Sequence, residues 1–546
     1  MKKVCMFALL AVMAIAFAMI TACASPADTP AEPGQEAAPA PQEAEAPVDA
    51  AEPAAPAEPA EDTHLIVVQP MMPTNFDPHL LNEVPGARAN ALIYNTLVYQ
   101  DEDMNILPGL ATSWEFLDAQ NVVFTLREGV RFHNGNIMTA DDVVFSLNRA
   151  GGSPHVAIIT DFIQEAVAID DHTVQLTTRF PFAPTLAHLS HTAASIVNRE
   201  EVERVGDDAH MFAPVGTGPF MFYNFVAGDR FELIRFEDFN AVKPGLPEGQ
   251  LPAISHITFR IVPEAGVRTM ELETGAAHVL VDVAAAEVAR IRADANLIMY
   301  EIPDFGLNTW FGFNNARAPF DDIRVRQAVA YALDIETIVD VAWAGLGFVA
   351  TGPLPSTVGG ARSYPITPIN IERARELMEE AGLADGVTIN VWSNAGNQMR
   401  EDAATIIQAQ LRAINIETTI SIYEWARLLP GTADGEHNAW LGGWVTATGD
   451  ADYGLYPLFH SANIGEPGNR FFYSNPRVDY LLEAGRSTTV EAERFAIYAE
   501  AQDLIMADVV LIPLWQSAGL HATGDMIGGV EVTPAGILRM WNFYFR

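Results

Sequence analysis

The stretch Val387-Thr388-Ile389-Asn390-Val391-Trp392, followed by a segment from Glu401 to Ile414 and then by Ile416-Glu417-Thr418-Thr419-Ile420-Ser421-Ile422 on to Trp425, decides the fold class. Its two ends are rich in β-branched and apolar residues at strand length, and its middle reads as a helix. Strand, helix and strand in that order make a βαβ unit, which implies a mixed or parallel sheet covered by helices. A helix opened by Asn370 and stopped at Gly382 precedes it. The alternation extends outward. Val122-Val123-Phe124-Thr125-Leu126 and Thr173-Val174-Gln175-Leu176 predict strands. Thr139 with Asp142 predicts a capped helix start, and Asp322 opens a helix with Val325, Val329 and Leu333 on one stripe. From Thr63 to Arg546 the body exceeds one core, at roughly 100–200 residues per domain. The class is α/β, in more than one lobe.

The N-terminus is different in kind. Lys2 and Lys3 precede an apolar run from Val4 to Ile20 that ends in Ile20-Thr21-Ala22-Cys23, the parts of a secretory signal. The cysteine at that point resembles a bacterial lipobox, which implies lipidation of Cys23 after removal of residues 1–22. An uncleaved anchor is the alternative, since roughly 17–25 residues span a bilayer. Both readings put the body outside the cytoplasmic membrane, in a periplasmic space or on the outer face of the cell membrane. Residues 24–62 hold nine prolines and ten acids with no lysine or arginine. Such a segment buries too little apolar surface to offset its ordering entropy, and reads as a disordered, extended tether.

The net charge of −39 excludes nucleic acid as a partner, because a phosphate-binding surface needs the opposite sign. Beyond Lys3 the chain has one lysine, Lys243. The two cysteines are Cys5 and Cys23, so the body holds no disulfide, thiol nucleophile, zinc–thiolate site or iron–sulfur cluster. It also has no His-Glu-x-x-His, no Gly-x-Ser-x-Gly and no phosphate loop. Gly345-Leu346-Gly347 follows a helix rather than a strand, against the dinucleotide fingerprint. His188 and His191 set two imidazoles near each other without a flanking carboxylate, a poor metal site. Asp141 and Asp142 suit a helix start better than an acid–base pair. Neither an enzyme nor a cofactor is expected.

Three blocks carry a family resemblance: Leu107-Pro108-Gly109-Leu110-Ala111-Thr112-Ser113-Trp114-Glu115, Phe124 to Gly135, and Thr139 to Ser146. Four later ones agree: Gly216-Thr217-Gly218-Pro219-Phe220, Pro319 to Ala328, Gly443-Trp444, and Asn475-Pro476-Arg477-Val478-Asp479. The ordered set resembles solute-binding protein family 5, the extracytoplasmic receptors of peptide and nickel ABC importers. The resemblance implies a two-lobed periplasmic-binding-protein fold of the large cluster C type, with mixed sheets and a ligand cleft between the lobes. The first lobe is expected at 63–300 plus 520–546, with an extra subdomain near 105–215, and the second at 301–519. Within the blocks, Asn134-Gly135 suits a turn with positive φ, and His133 a packing role. Gly216, Gly218 and Pro219 suit a backbone crossing or a hinge with special dihedrals. Arg324 and Arg326 are expected to anchor their helix through Asp321 and Asp322.

Many peptide-binding members hold the ligand's amino terminus with an aspartate three residues after the tryptophan of the Gly-Trp block. Here that position is Ala447. The stretch Trp444 to Tyr453 is most similar to the glutathione-importer branch, with Thr448-Gly449-Asp450-Ala451-Asp452-Tyr453. Asp450 or Asp452 is a candidate replacement carboxylate, with a helix cap as the alternative. Strand-end loops add Asn394 and Arg400, the latter as a bidentate carboxylate anchor. Tyr423, Trp425 and Trp444 are candidate aromatic walls, and the loop Met71 to Asp77 is placed to close the cleft from the other lobe.

The resemblance implies capture by lobe closure on a peptide-like ligand (oligopeptide, dipeptide or glutathione), with delivery to ABC permease transmembrane subunits driven by separate ATPase subunits. A lipid-anchored monomer is expected. Nickel, haem and oligosaccharide ligands stay open, as does a non-transport surface receptor on the same fold.

Overall fold

Strand Val387–Asn394 pairs in parallel with strand Ile416–Tyr423, from Val387 beside Ile416 to Asn394 beside Tyr423, and helix Gln398–Leu411 connects them. The βαβ unit of the sequence is therefore present in the computed structural model. The model describes residues 63–546 apart from 82, 102–103, 303–305, 396, 466–467, 518, 534–535 and 537, and apart from the side chains of 425 and 426. Cys23, the signal and the tether lie outside the described residues. One boundary differs from expectation. The second strand stops at Tyr423, and Trp425 opens helix Trp425–Ala433. The partner strand ends at Asn394, so beyond Tyr423 only the Ala395 N–H remains to pair with it, and the ladder has no continuation.

Two sheets organise the body. One has seven strands in the order Leu297–Ile302, Gly519–Gly524, Val279–Val281, His64–Gln69, His256–Ile261, Arg230–Arg235, Phe220–Val226. Its central strand His64–Gln69 runs parallel to both neighbours, and the other pairs are antiparallel. The other has six strands in the order Phe348–Val349, Leu511–Gln516, Leu307–Phe313, Ala439–Val445, Val387–Asn394, Ile416–Tyr423. The chain passes from the first to the second between Ile302 and Leu307, and returns between Gln516 and Gly519. A four-stranded antiparallel sheet, Ala111–Phe116, Asn121–Leu126, Thr173–Thr178, Ile163–Asp170, packs on helix Ala140–Gly152. Val68, Leu280 and Ala522 of the first sheet share a core with Phe311, Val391 and Leu441 of the second. The architecture is a two-lobed mixed α/β fold.

Local signals explain where the helices start. Thr139 and Asp142 form the capping box of helix Ala140–Gly152, Asp322 accepts from the Arg324 N–H, and Asn370 accepts from the Arg373 N–H. Arg324 also pairs with Asp322 at 2.5 Å. Arg326 does not follow suit: its guanidinium donates to the carbonyls of Phe320, Asp508 and Val509. It faces inward on its helix, where the acceptors are backbone carbonyls rather than carboxylates. Gly216 and Gly218 mark a backbone crossing, as expected, but not by unusual dihedrals. A Cβ at Gly216 would meet the Ile93 carbonyl oxygen at 2.1 Å, and one at Gly218 the Leu92 oxygen at 2.3 Å. His133 staples this crossing, accepting from the Gly216 N–H at 3.2 Å and donating to the Gly218 carbonyl at 3.0 Å.

Candidate functional site

A cavity of about 380 Å³ opens where the Gly443-Trp444-Val445 strand end faces helix Val84–Ile93 and strand Val98–Gln100. From the six-stranded side come Gly443, Trp444, Ala447 and Tyr453; from the seven-stranded side come Tyr94, Tyr99, Lys243 and Trp541, with His191 from the segment after helix Thr185–Leu189. Most of the wall is aromatic or small, the pattern of a cleft that takes an organic ligand by apolar contact and orients it with a few polar groups.

Among the described side chains, Trp444 is the one expected ligand residue that lines the cavity. Its indole Nε1 donates to the Tyr453 carbonyl at 2.9 Å, and the two rings lie 5.5 Å apart. That hydrogen bond fixes the ring as a wall and leaves its face to a ligand. Ala447 also lines the cavity. Its side chain is a methyl group, so this point of the wall carries no charge.

Asp450 and Asp452 are not among the lining residues. Asp450 caps helix Ala451–Phe459 through the Asp452 N–H and forms a short ion pair with Arg494. Asp452 is buried, 3.1 Å from Arg486 and within reach of the Tyr498 hydroxyl at 3.2 Å. Both carboxylates are committed to arginines of the chain. Arg486 in turn lies over the Tyr456 ring at 3.7 Å and over Phe180 and Phe182, so this network ties residues 450–498 to the strand-end loop at 180–182. The neighbouring Asp161 carboxyl is raised above its ordinary range by burial.

Arg400 is buried directly behind the cavity wall. A Cβ at Gly443 would lie 2.6 Å from its Nη2, so glycine is what lets the guanidinium reach that strand. Its Nη1 donates to Asn394 Oδ1 at 2.9 Å, and burial lowers its pKa to about 10. Tyr423 stands apart, half-buried, packed on Trp392 and under Arg427. The Trp425 side chain lies outside the described residues. The loop Met71 to Asp77 contributes no lining residue. Phe76 is in the core, and Asp77 is held by Arg149 and His210, which keep its carboxyl well below the ordinary range.

Sequence reasoning missed Tyr94, Tyr99, His191, Lys243 and Trp541. The only signal available was that Lys243 is the single lysine of the body, and nothing local says which way it points. Among the described residues no group of three or more metal-ligating side chains converges, and no helix is long and apolar enough to cross a membrane.

Residues 105–466 match the family model for bacterial extracellular solute-binding proteins, family 5. The chain is 29% identical over 472 residues to the glutathione-binding protein GsiB of Pectobacterium atrosepticum, covering 84% of this chain and 90% of that one. It is 30% identical over 500 residues to heme-binding protein A of Haemophilus influenzae, covering 85% and 89%. Among solved structures, the periplasmic binding protein DppA of Helicobacter pylori in complex with the peptide STSA superposes with a TM-score of 0.78 at 25% identity, over 88% of this chain and 98% of that one. The chain belongs to the family-5 solute-binding proteins, the substrate-binding components of ABC importers.

Proposed function

We propose that this family-5 protein captures a peptide-like ligand, an oligopeptide, dipeptide or glutathione-like compound, and hands it to an ABC permease without breaking a bond. The observation that carries this reading is the cavity walled by Trp444, Tyr453, Tyr94 and Tyr99, drawn from both sides of the cleft. Trp444 serves as the aromatic platform. Arg400, behind Gly443 and oriented by Asn394, supplies positive potential to that wall. Asp450 and Asp452 act through Arg494 and Arg486 rather than on ligand, and Tyr423 supports the Trp392 layer. With alanine at 447, the ligand's amino group is not clamped there, so ligands without a free α-amine are accepted.

Capture proceeds by closure of residues 63–300 and 520–546 on residues 301–519. Ligand contacts from both sides favour the closed form. Lipidation at Cys23 and the tether 24–62 hold the receptor beside its permease, raising its effective concentration there.

The test is calorimetric titration with glutathione, dipeptides and tetrapeptides. Micromolar or tighter binding by at least one, weakened at least tenfold by Trp444→Ala, supports the reading; no peptide binding, or binding indifferent to Trp444, overturns it. The 30% identity to a protein named for haem favours haem as the second reading, and haemin belongs in the same titration. For the anchor, Cys23→Ser should move the protein from the membrane fraction to the soluble extracytoplasmic fraction.

A further inference from the structure

Lys243 is a buried lysine in the wall of the cavity, and among the described residues it has no acid beside it. Its Nζ donates to the carbonyls of Ala91 at 2.7 Å and Tyr94 at 2.8 Å, at the C-terminal end of helix Val84–Ile93. It lies 5.1 Å from the centre of the Tyr99 ring and 4.9 Å from that of Trp541. An ammonium has three donors, and the third has no acceptor among the described residues. The wall's own charged groups are occupied elsewhere. Glu83 accepts from the Thr74 N–H and hydroxyl, Asp101 from Asn105, and Arg539 is 3.4 Å from Glu531. Carbonyls and ring faces keep the cation in place, but they do not neutralise it. Burying an unpaired charge is costly.

We propose that Lys243 is the anion anchor of this cavity, donating its third N–H to a carboxylate of the bound ligand while Tyr99 and Trp541 flank the salt bridge. The proposal rests on the reading of the cavity as the ligand site, and it narrows the ligand class to compounds whose apolar body ends in an acid. Burial alone lowers the free ammonium to about 7. Ligand carboxylate at that position restores the charged form, so acid and ammonium stabilise each other. Arg400 stays charged throughout the neutral range, and His191, held down to about 4 by burial and His188, stays neutral there. Of these three groups, Lys243 is the one whose pKa lies near neutrality.

The experiment titrates the full-length protein with two matched pairs, hexanoate with hexanamide, and Leu-Leu with its C-terminal amide. The carboxylate of a pair should bind about tenfold tighter or more than its amide. In Lys243→Gln, which keeps donors for the Ala91 and Tyr94 carbonyls, that preference should fall to within about twofold. If neither that variant nor Lys243→Met folds, the unmodified protein decides: its hexanoate affinity should fall as pH rises from 6.5 to 8.5. Equal binding of acid and amide, a preference that persists in a folded variant, a flat pH profile, or no carboxylate binding at all overturns the proposal. Hexanoate bound in preference to hexanamide with no Leu-Leu binding leaves Lys243 as anchor and removes the peptide reading. Leu-Leu and its amide bound alike does the reverse.

Discussion

The Gln100 side-chain amide donates to the Thr448 carbonyl across 3.0 Å. Gln100 ends the strand beside the Tyr99 wall, and Thr448 follows Ala447 of the opposite wall, so this hydrogen bond joins the two sides beside the cavity. Ser190 holds the amide's other end, donating to Gln100 Oε1 at 3.0 Å. A bond of this kind exists only when the two sides are together. Gln100→Ala should therefore weaken ligand binding by about five- to tenfold, from a bond worth about 1 kcal/mol, while the melting temperature of the ligand-free protein changes by less than about 2 °C. Calorimetry with a bound peptide and a thermal scan check both parts. An unchanged affinity removes Gln100 from closure.

Asp452 should behave as a structural residue. Its carboxylate is buried against Arg486 and Tyr498, and removing one member of a buried pair leaves the other uncompensated. Asp452→Asn should cost about 3–5 kcal/mol in urea unfolding. Ligand affinity of the fraction that stays folded should be unchanged. A variant of normal stability with lost affinity would return Asp452 to the ligand site.

Gly216→Ala should destabilise by about 2–3 kcal/mol, because the added methyl runs into the Ile93 backbone oxygen at 2.1 Å, an atom that cannot step aside as a side chain can. Gly135→Ala makes a useful contrast. There the space is open and the cost comes from φ of +87° alone, about 1–2 kcal/mol. Urea midpoints of the two variants should rank in that order.

Acid should unfold this protein early. Burial lowers His79, His133, His191, His437 and His521 to about 4. A histidine whose folded pKa is depressed binds fewer protons folded than unfolded, so stability is full above the unfolded value near 6.5 and declines as pH falls from there toward 4. Each such group contributes up to about 1.4 kcal/mol per pH unit in that window. Asp77, also depressed, adds its own loss below about pH 4. Urea midpoints at pH 7.5, 6.0 and 5.0 should drop progressively, and His133→Gln should flatten the decline by one proton's worth. Equal midpoints at all three values would contradict the assignment.

Much of the frame was legible from the chain alone. The βαβ run, the capping box of Thr139 and Asp142, the caps at Asp322 and Asn370, the Asn134-Gly135 turn and the family blocks depend on neighbours within a few residues. Backbone sterics, capping hydrogen bonds and side-chain period act at that range. Trp444 was legible too, because the motif carries it. Where the reading went astray, the deciding partner was distant in sequence. Arg326 met chain carbonyls around 508 instead of Asp321. Asp450 caps its helix, the alternative the sequence offered, and pairs with Arg494; Asp452 pairs with Arg486, and Asp77 with Arg149 and His210. A carboxylate in a sequence shows its charge but not which guanidinium will satisfy it.

The amino-acid sequence by itself determined the α/β class, the family, the absence of cysteine chemistry in the body and the alanine at 447. All of these follow from residue identity and local spacing. Tertiary structure alone decided what the cavity is made of. Tyr94, Tyr99, Lys243 and Trp541 come from segments up to several hundred residues apart, and they become one wall only when the strands between them pair. Burial then sets the chemistry, lowering the pKa of an ordinary lysine that sits among aromatic rings.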